Sequence, residues 1–190
     1  MKILVSGFEP FDQLNTNPSE QIVELLLQES YNFNLQGIIL PVSFERAFIR
    51  LENKINLLKP DYVICLGVAV NRNVITPERL AINYKEASIA DNDGVQPQGA
   101  PVLNGEVDGL ITSLPIKQMA LEAKALGVEA EVSNTAGTYV CNDLMYKVIN
   151  HSKSNGYLAG FIHVPPVEKQ SLEQLLIGIK AMINYCANDQ

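Results

Sequence analysis

Short aliphatic runs alternate with longer amphipathic ones along almost the whole chain, and this alternation restricts the fold more than any other feature. Lys2–Ser6, Asn34–Leu40, Tyr62–Leu66, Glu129–Ser133 and Tyr157–Val164 read as strands, and most are closed by Gly or Pro. Pro18–Glu29, Phe44–Leu58, Ser113–Leu126, Thr138–His151 and Leu172–Tyr185 read as helices. In the second of these, Ala47, Phe48, Leu51, Ile55 and Leu58 recur at three- and four-residue spacing. Asn17 can cap the first helix, and Pro18 sits where a missing N–H costs nothing. Strands that alternate with helices predict an α/β fold with a mixed, largely parallel sheet between helices.

No repeat, low-complexity tract or long linker divides the 190 residues, so residues 1–190 are expected to form a single domain. Asn71–Asp108 is the exception to the regular pattern. It is rich in Asn, Asp, Gly and Pro, with short apolar islands such as Leu80-Ala81-Ile82. A long irregular segment inside a compact domain usually carries function, and this one leaves the carboxyl end of a strand, where α/β sheets bind ligands.

A net charge of −7 without any Lys/Arg-rich run argues against nucleic acid as a partner. The apolar run at Ile3-Leu4-Val5 is too short for a secretion signal, and no stretch approaches the length of a membrane span. Cys65, Cys141 and Cys186 are few, odd in number and far apart, which points to free thiols and a cytoplasmic location. Asp91-Asn92-Asp93-Gly94 resembles part of a calcium loop but lacks its ligand spacing, and two histidines without Cys-x-x-Cys make a zinc site improbable. No cofactor is expected.

Cys141 follows the small-residue turn Ser133-Asn134-Thr135-Ala136-Gly137 between a strand and a helix. That places its thiol in a first helical turn, where free N–H groups and the helix dipole favour a thiolate of depressed pKa, and therefore a nucleophile. The opposing reading is a buried apolar thiol in line with Leu144, Met145 and Val148. Of the two histidines, His163 ends a strand at the same edge as the start of the Cys141 helix. His151 lies about 15 Å along that helix at about 1.5 Å per residue. His163 is the favoured base. For an orienting carboxylate, spacing alone does not separate Glu78 from Asp91 or Asp93.

Taken together, several blocks resemble the pyroglutamyl peptidase I (pyrrolidone-carboxylate peptidase) family. They are Gly7-Phe8-Glu9-Pro10-Phe11, Asn17-Pro18-Ser19, Ile75-Thr76-Pro77-Glu78-Arg79, Ala81-Ile82-Asn83 and Asp91-Asn92, followed by Ser113-Leu114-Pro115-Ile116, Ser133–Asn142 and Gly160–Pro165. The resemblance implies a three-layer phosphorylase/hydrolase-like fold and a cysteine peptidase that removes N-terminal pyroglutamate through a thioester. It implies Glu78, Cys141 and His163 as the catalytic triad. Phe8, Phe11, Asn17, Ile89 and Tyr139 would form the substrate pocket. It further implies peptides with N-terminal pyroglutamate as partners and a homo-oligomer, often a tetramer. Two departures stand out. Val68 replaces a glutamine that borders the family's pocket, and Ser88 replaces an arginine proposed to support its oxyanion site. These leave a pyroglutamyl-peptide-binding protein of weak or no activity as the alternative.

Overall fold

The computed structural model describes residues 1–11 and 15–188. In chain order the elements are β1 (Lys2–Phe8), α1 (Pro18–Leu26), β2 (Asn34–Leu40), α2 (Arg46–Leu58), β3 (Tyr62–Val68), β4 (Thr76–Pro77) and β5 (Leu80–Ile82). They continue as β6 (Lys85–Glu86), β7 (Gln98–Ala100), β8 (Gly109–Ile111), α3 (Ile116–Ala125), α4 (Val140–Asn155), β9 (Leu158–Val164) and α5 (Leu172–Asn188). The main sheet has the order β2-β1-β3-β9-β4. It is parallel except for β4, which pairs antiparallel with β9, so the expected mixed, largely parallel sheet is what forms.

Neighbouring residues on each strand feed opposite core layers, which explains why the strands read as continuous apolar runs rather than alternating ones. Leu4, Val63, Cys65 and Phe161 pack with Leu51 and Ile55 of α2 and Leu144 and Val148 of α4. Ile3, Ile64, Leu66 and Ile162 pack with Ile22 of α1, Met119 of α3 and Ile179 and Met182 of α5. The sheet therefore lies between two helix layers.

Several boundaries differ from the sequence expectations. β1 runs through Gly7 to Phe8 rather than stopping at Ser6. Gly7 serves close packing instead, because a Cβ there would lie 2.4 Å from the Ser19 carbonyl oxygen on α1. β3 likewise runs past Leu66 to Val68, and α1 ends at Leu26 in a tightened turn, with Gln28 N–H bonded to Leu25 O and Glu29 N–H to Leu26 O. α2 begins at Arg46 because Phe44 N–H is taken by Asp91 Oδ2. α3 spans only Ile116–Ala125, since Pro115 occupies its N-cap, while α4 and α5 run on to Asn155 and Asn188.

Glu129–Ser133 is not a strand. It makes two isolated parallel bridges, Ile75↔Ala130 and Glu78↔Ser133, which flank the Pro77–Glu78 backbone without building a continuous ladder. The segment from Asn71 to Asp108 contains β4 to β7. β5 pairs antiparallel with β8, and β6 with β7 across a register shift at Lys85/Glu86.

Candidate active site

The site forms where the carboxyl ends of β3 and β9 meet the start of α4. The β3–β9 register sets Gly67 opposite His163. A Cβ at Gly67 would lie 3.1 Å from Cys141 Sγ, so the sulfur sits directly over that glycine. Adjacent strands are about 4.8 Å apart, so thiol and imidazole are brought to neighbouring positions at the sheet edge. Both line the same cavity of about 820 Å³.

Behind the imidazole, His163 Nδ1 lies 2.7 Å from Glu78 Oε1. The carboxylate accepts only, so Nδ1 carries the proton and Nε2 is left with the lone pair. Glu78 is fully buried and His163 nearly so. The Glu78 backbone is held on both sides, its N–H by Phe161 O at 2.9 Å and the next residue's N–H by Ser133 O at 2.8 Å. The Phe161 ring packs 4.8 Å from the imidazole, further restricting its rotation.

Arg72 is a residue of the site that the sequence reading did not single out. Its guanidinium reaches Glu78 Oε1 at 2.8 Å, Thr76 Oγ1 at 2.5 Å and Thr135 O at 2.7 Å. One side chain thus ties the loop after β3 to the orienting carboxylate and to the turn before Cys141. Position was the available signal, because Arg72 leaves the carboxyl end of the same strand that carries Gly67. The turn it grips is ordered by its own hydroxyls. Ser133 Oγ donates to Thr135 O and accepts from Thr135 N–H, and Thr135 Oγ1 accepts from Gly137 N–H. This hydroxyl ladder explains the Ser-x-Thr-x-Gly pattern ahead of the cysteine.

Cys141 is the second residue of α4, whose N-cap, Tyr139, makes no side-chain cap hydrogen bond. The first-turn N–H groups beside the sulfur are therefore suited to holding an oxyanion. The expected depression of the thiol pKa does not occur. Burial, then the charges of Glu78 and Cys65, push it up to about 12, against smaller lowering by its own backbone N–H and Arg72. Because Cys141 is partly exposed at the cavity wall, solvent tempers the burial that drives this rise. His163 moves down from its ordinary value. Burial is the largest cause and Arg72 adds to it, while the hydrogen bond and charge of Glu78 oppose both. At neutral pH the resting pair is a thiol beside a neutral imidazole.

A second, narrow pocket of about 40 Å³ shares the sulfur with the larger cavity. Phe8, Phe11, Asn17, Val68, Tyr139 and Cys141 are among its walls. Four of the five expected pocket residues thus gather there. Ile89 does not: it is 39% exposed and lines the larger cavity, as does Ser88. Asn17 is held as a cap, its Oδ1 accepting from Ser19 N–H and Oγ and its Nδ2 donating to Glu9 O. Tyr139 OH donates to Ala90 O, and Asn92 Nδ2 donates to Glu9 Oε1 and Pro10 O, which braces the loops around both pockets.

The competing candidates are used elsewhere. Asp91 accepts from the N–H groups of Phe44, Asp93 and Val95, and Asp93 pairs with Arg46. His151 bonds Tyr157 OH at 2.8 Å and faces Glu52. Cys65 and Cys186 are wholly buried. Among the described residues no cluster of His, Cys, Asp or Glu could hold a metal, and no helix is long and apolar enough to cross a membrane.

Comparison with known proteins accords with this geometry. The pyrrolidone-carboxylate peptidase of Oceanobacillus iheyensis is 40% identical over 174 residues, covering 90% of this chain and 87% of that one. The crystal structure of pyrrolidone carboxyl peptidase from Pyrococcus furiosus superposes with a TM-score of 0.94 at 35% identity, covering 100% and 99% of the two chains. Pyroglutamyl peptidase I from Bacillus amyloliquefaciens superposes with a TM-score of 0.93 at 35% identity, covering 98% and 95%. The family model described as pyroglutamyl peptidase matches residues 1–186, and the chain belongs to that family.

Proposed function

We propose that the chain is a thiol-dependent peptidase that removes an N-terminal pyroglutamyl residue from peptides, with Cys141 as nucleophile, His163 as base and Glu78 as orienting carboxylate. The observation that carries this is the Glu78–His163 hydrogen bond at 2.7 Å on a cavity shared with Cys141. His163 Nε2 takes the thiol proton as Sγ attacks the pyroglutamyl carbonyl, and the first-turn N–H groups of α4 stabilise the oxyanion. The C–N bond then breaks, Nε2 returns the proton to the leaving amine, and a thioester remains. Water attacks the thioester with Nε2 as base, releasing 5-oxoproline and the free thiol.

The narrow pocket supports the substrate assignment. Phe8, Phe11 and Tyr139 give aromatic walls, which suit a neutral lactam ring. An ordinary N-terminus would bring an ammonium group among them, at a desolvation cost that disfavours it. A homotetramer in the cytoplasm completes the proposal, and light scattering should return four times the chain mass.

Release of a fluorescent amine from a pyroglutamyl amide tests the reading. Wild-type turnover is expected, with none in Cys141→Ala and a loss of about 10²–10⁴-fold in kcat for Glu78→Gln, where tautomer control is gone. Binding without turnover in the wild type would instead establish a binding protein. Unaltered kcat in Glu78→Gln would remove that residue from the mechanism.

A further inference from the structure

The cavity of about 820 Å³ is far larger than the ring pocket and shares Cys141 with it. We propose that it is the subsite for the leaving peptide, and that Glu86 on its wall selects substrates with a basic side chain just after the pyroglutamyl residue. This rests on the peptidase reading above and extends it to the part of the substrate that departs.

Phe11, Val68, Tyr139 and Cys141 belong to both cavities, so the sulfur marks their junction. With the acyl ring in the narrow pocket, the chain beyond the scissile bond has the larger cavity to enter. Its volume is in the range that holds a ligand of several residues. One wall is the arm built by β6 and β7 and their extensions. Glu86, Ala87 and Ser88 line the cavity from one segment of it and Gln96 and Gln98 from the other, with Ala87 buried and the four polar residues exposed. Glu86 pairs with Gln98, and cross-strand partners share a face.

The charges on the lining do not balance. Arg72 is engaged by Glu78, Thr76 and the Thr135 carbonyl. His163 is neutral at rest, because burial lowers it. Lys85, next to Glu86, is not among the lining residues and acts on Asp143. The Glu86 carboxylate meets Tyr84 OH, at 3.4 Å, while its backbone bonds Thr138. Among the described lining residues, one carboxylate amid neutral amides and a hydroxyl therefore faces the leaving peptide. It is solvent-exposed, so its influence is modest and weakened by salt.

Three peptides, identical except for Lys, Gln or Glu after pyroglutamate, test this by competition. At low salt, kcat/KM for the Lys peptide should exceed that for the Glu peptide by about tenfold, with Gln between, and 0.5 M salt should compress the ratio. In Glu86→Gln the Lys/Glu ratio should fall to about threefold or less. In Glu173→Gln, which changes the net charge equally at an exposed site outside the cavity lining, it should stay at the wild-type value. The same order should appear in the binding of C-terminally labelled peptides to the Cys141→Ala protein, which needs no turnover. A wild-type ratio near one, or a ratio unmoved by Glu86→Gln, overturns the proposal. Failure to cleave a simple pyroglutamyl anilide would overturn the parent reading, and the binding order would still decide this one.

Discussion

Replacing Gly67 with alanine tests the placement of the nucleophile more directly than removing the nucleophile itself. The added Cβ would lie 2.7 Å from Phe161 Cζ and 3.1 Å from both Cys141 Sγ and Phe161 Cε1. Real carbon contacts do not persist at 2.7 Å, so something must move. The Phe161 ring is wholly buried, with Phe8 at 6.4 Å and His163 at 4.8 Å between centroids, so it cannot retreat without displacing the imidazole. The thiol, partly exposed at the cavity wall, is the easier group to displace. Overpacking of this kind costs about 1–3 kcal/mol. In a chain of this length it lowers Tm by about 2–12 °C. A displacement approaching 1 Å between sulfur and imidazole can cost about 10²-fold in rate. The loss should fall mainly on kcat, because the geometry in question is that of the transition state. Turnover of a pyroglutamyl amide at saturating substrate, beside a thermal melt, reads both effects. A Gly67→Ala protein with wild-type kcat would show that the sulfur does not depend on the space over Gly67.

Other consequences follow from the same geometry. Arg72→Met removes one partner of a buried ion pair and should cost about 3 kcal/mol, seen as a Tm lower by about 6–12 °C. It should also move the acid limb of kcat/KM to higher pH, because Arg72 helps to hold the His163 pKa down; an unmoved limb would exclude the coupling. Iodoacetamide should add once to the native protein, at Cys141, and intact-mass analysis finding adducts on Cys65 or Cys186 would contradict their burial. Cys65 and Cys141 are both pushed from 9.0 up to about 12 by burial, so their stabilising contribution is complete below pH 9 and is lost as pH rises toward 12. Thermal melts should show that alkaline decline, with a shallower slope in Cys141→Ala.

Much of the fold was legible because both its periods are strong. β2 matches its sequence reading end for end, and β9 begins one residue late. Gly7 and Gly67 misled in the same way. A glycine after an aliphatic run reads as a turn, yet here each keeps the strand going and makes room for a neighbour, Ser19 in one case and Cys141 in the other. Glu129–Ser133 has strand composition but meets only the short Ile75–Glu78 stretch, so no ladder could extend. In the site, the edge that unites Cys141 with His163 followed from topology alone. Glu78 did not, since Asp91 and Asp93 left the same region. What separates them is tertiary: three backbone N–H groups converge on Asp91, and Arg46 meets Asp93. Arg72 escaped notice because its role lies in contacts six and sixty-three residues along the chain.

The thiol shows most clearly where local reasoning and the folded environment part. A helix N-terminus favours the thiolate, but only by a fraction of a charge near the first turn. Burial of the same sulfur, with Glu78 close by, acts in the opposite sense and prevails. The nucleophile is therefore poised by its neighbours rather than ionised at rest. Once the proton passes to His163, charges along Arg72, Glu78, His163 and Cys141 alternate in sign, so each adjacent pair attracts. Glu78 alone would oppose the thiolate. Arg72, bonded to the same carboxylate oxygen as His163, lowers both the imidazole and the thiol. The ion pair behind the ring thus offsets part of the field of Glu78 at the sulfur while keeping the imidazole oriented. That is how a carboxylate can stand behind the base of a cysteine nucleophile without silencing it.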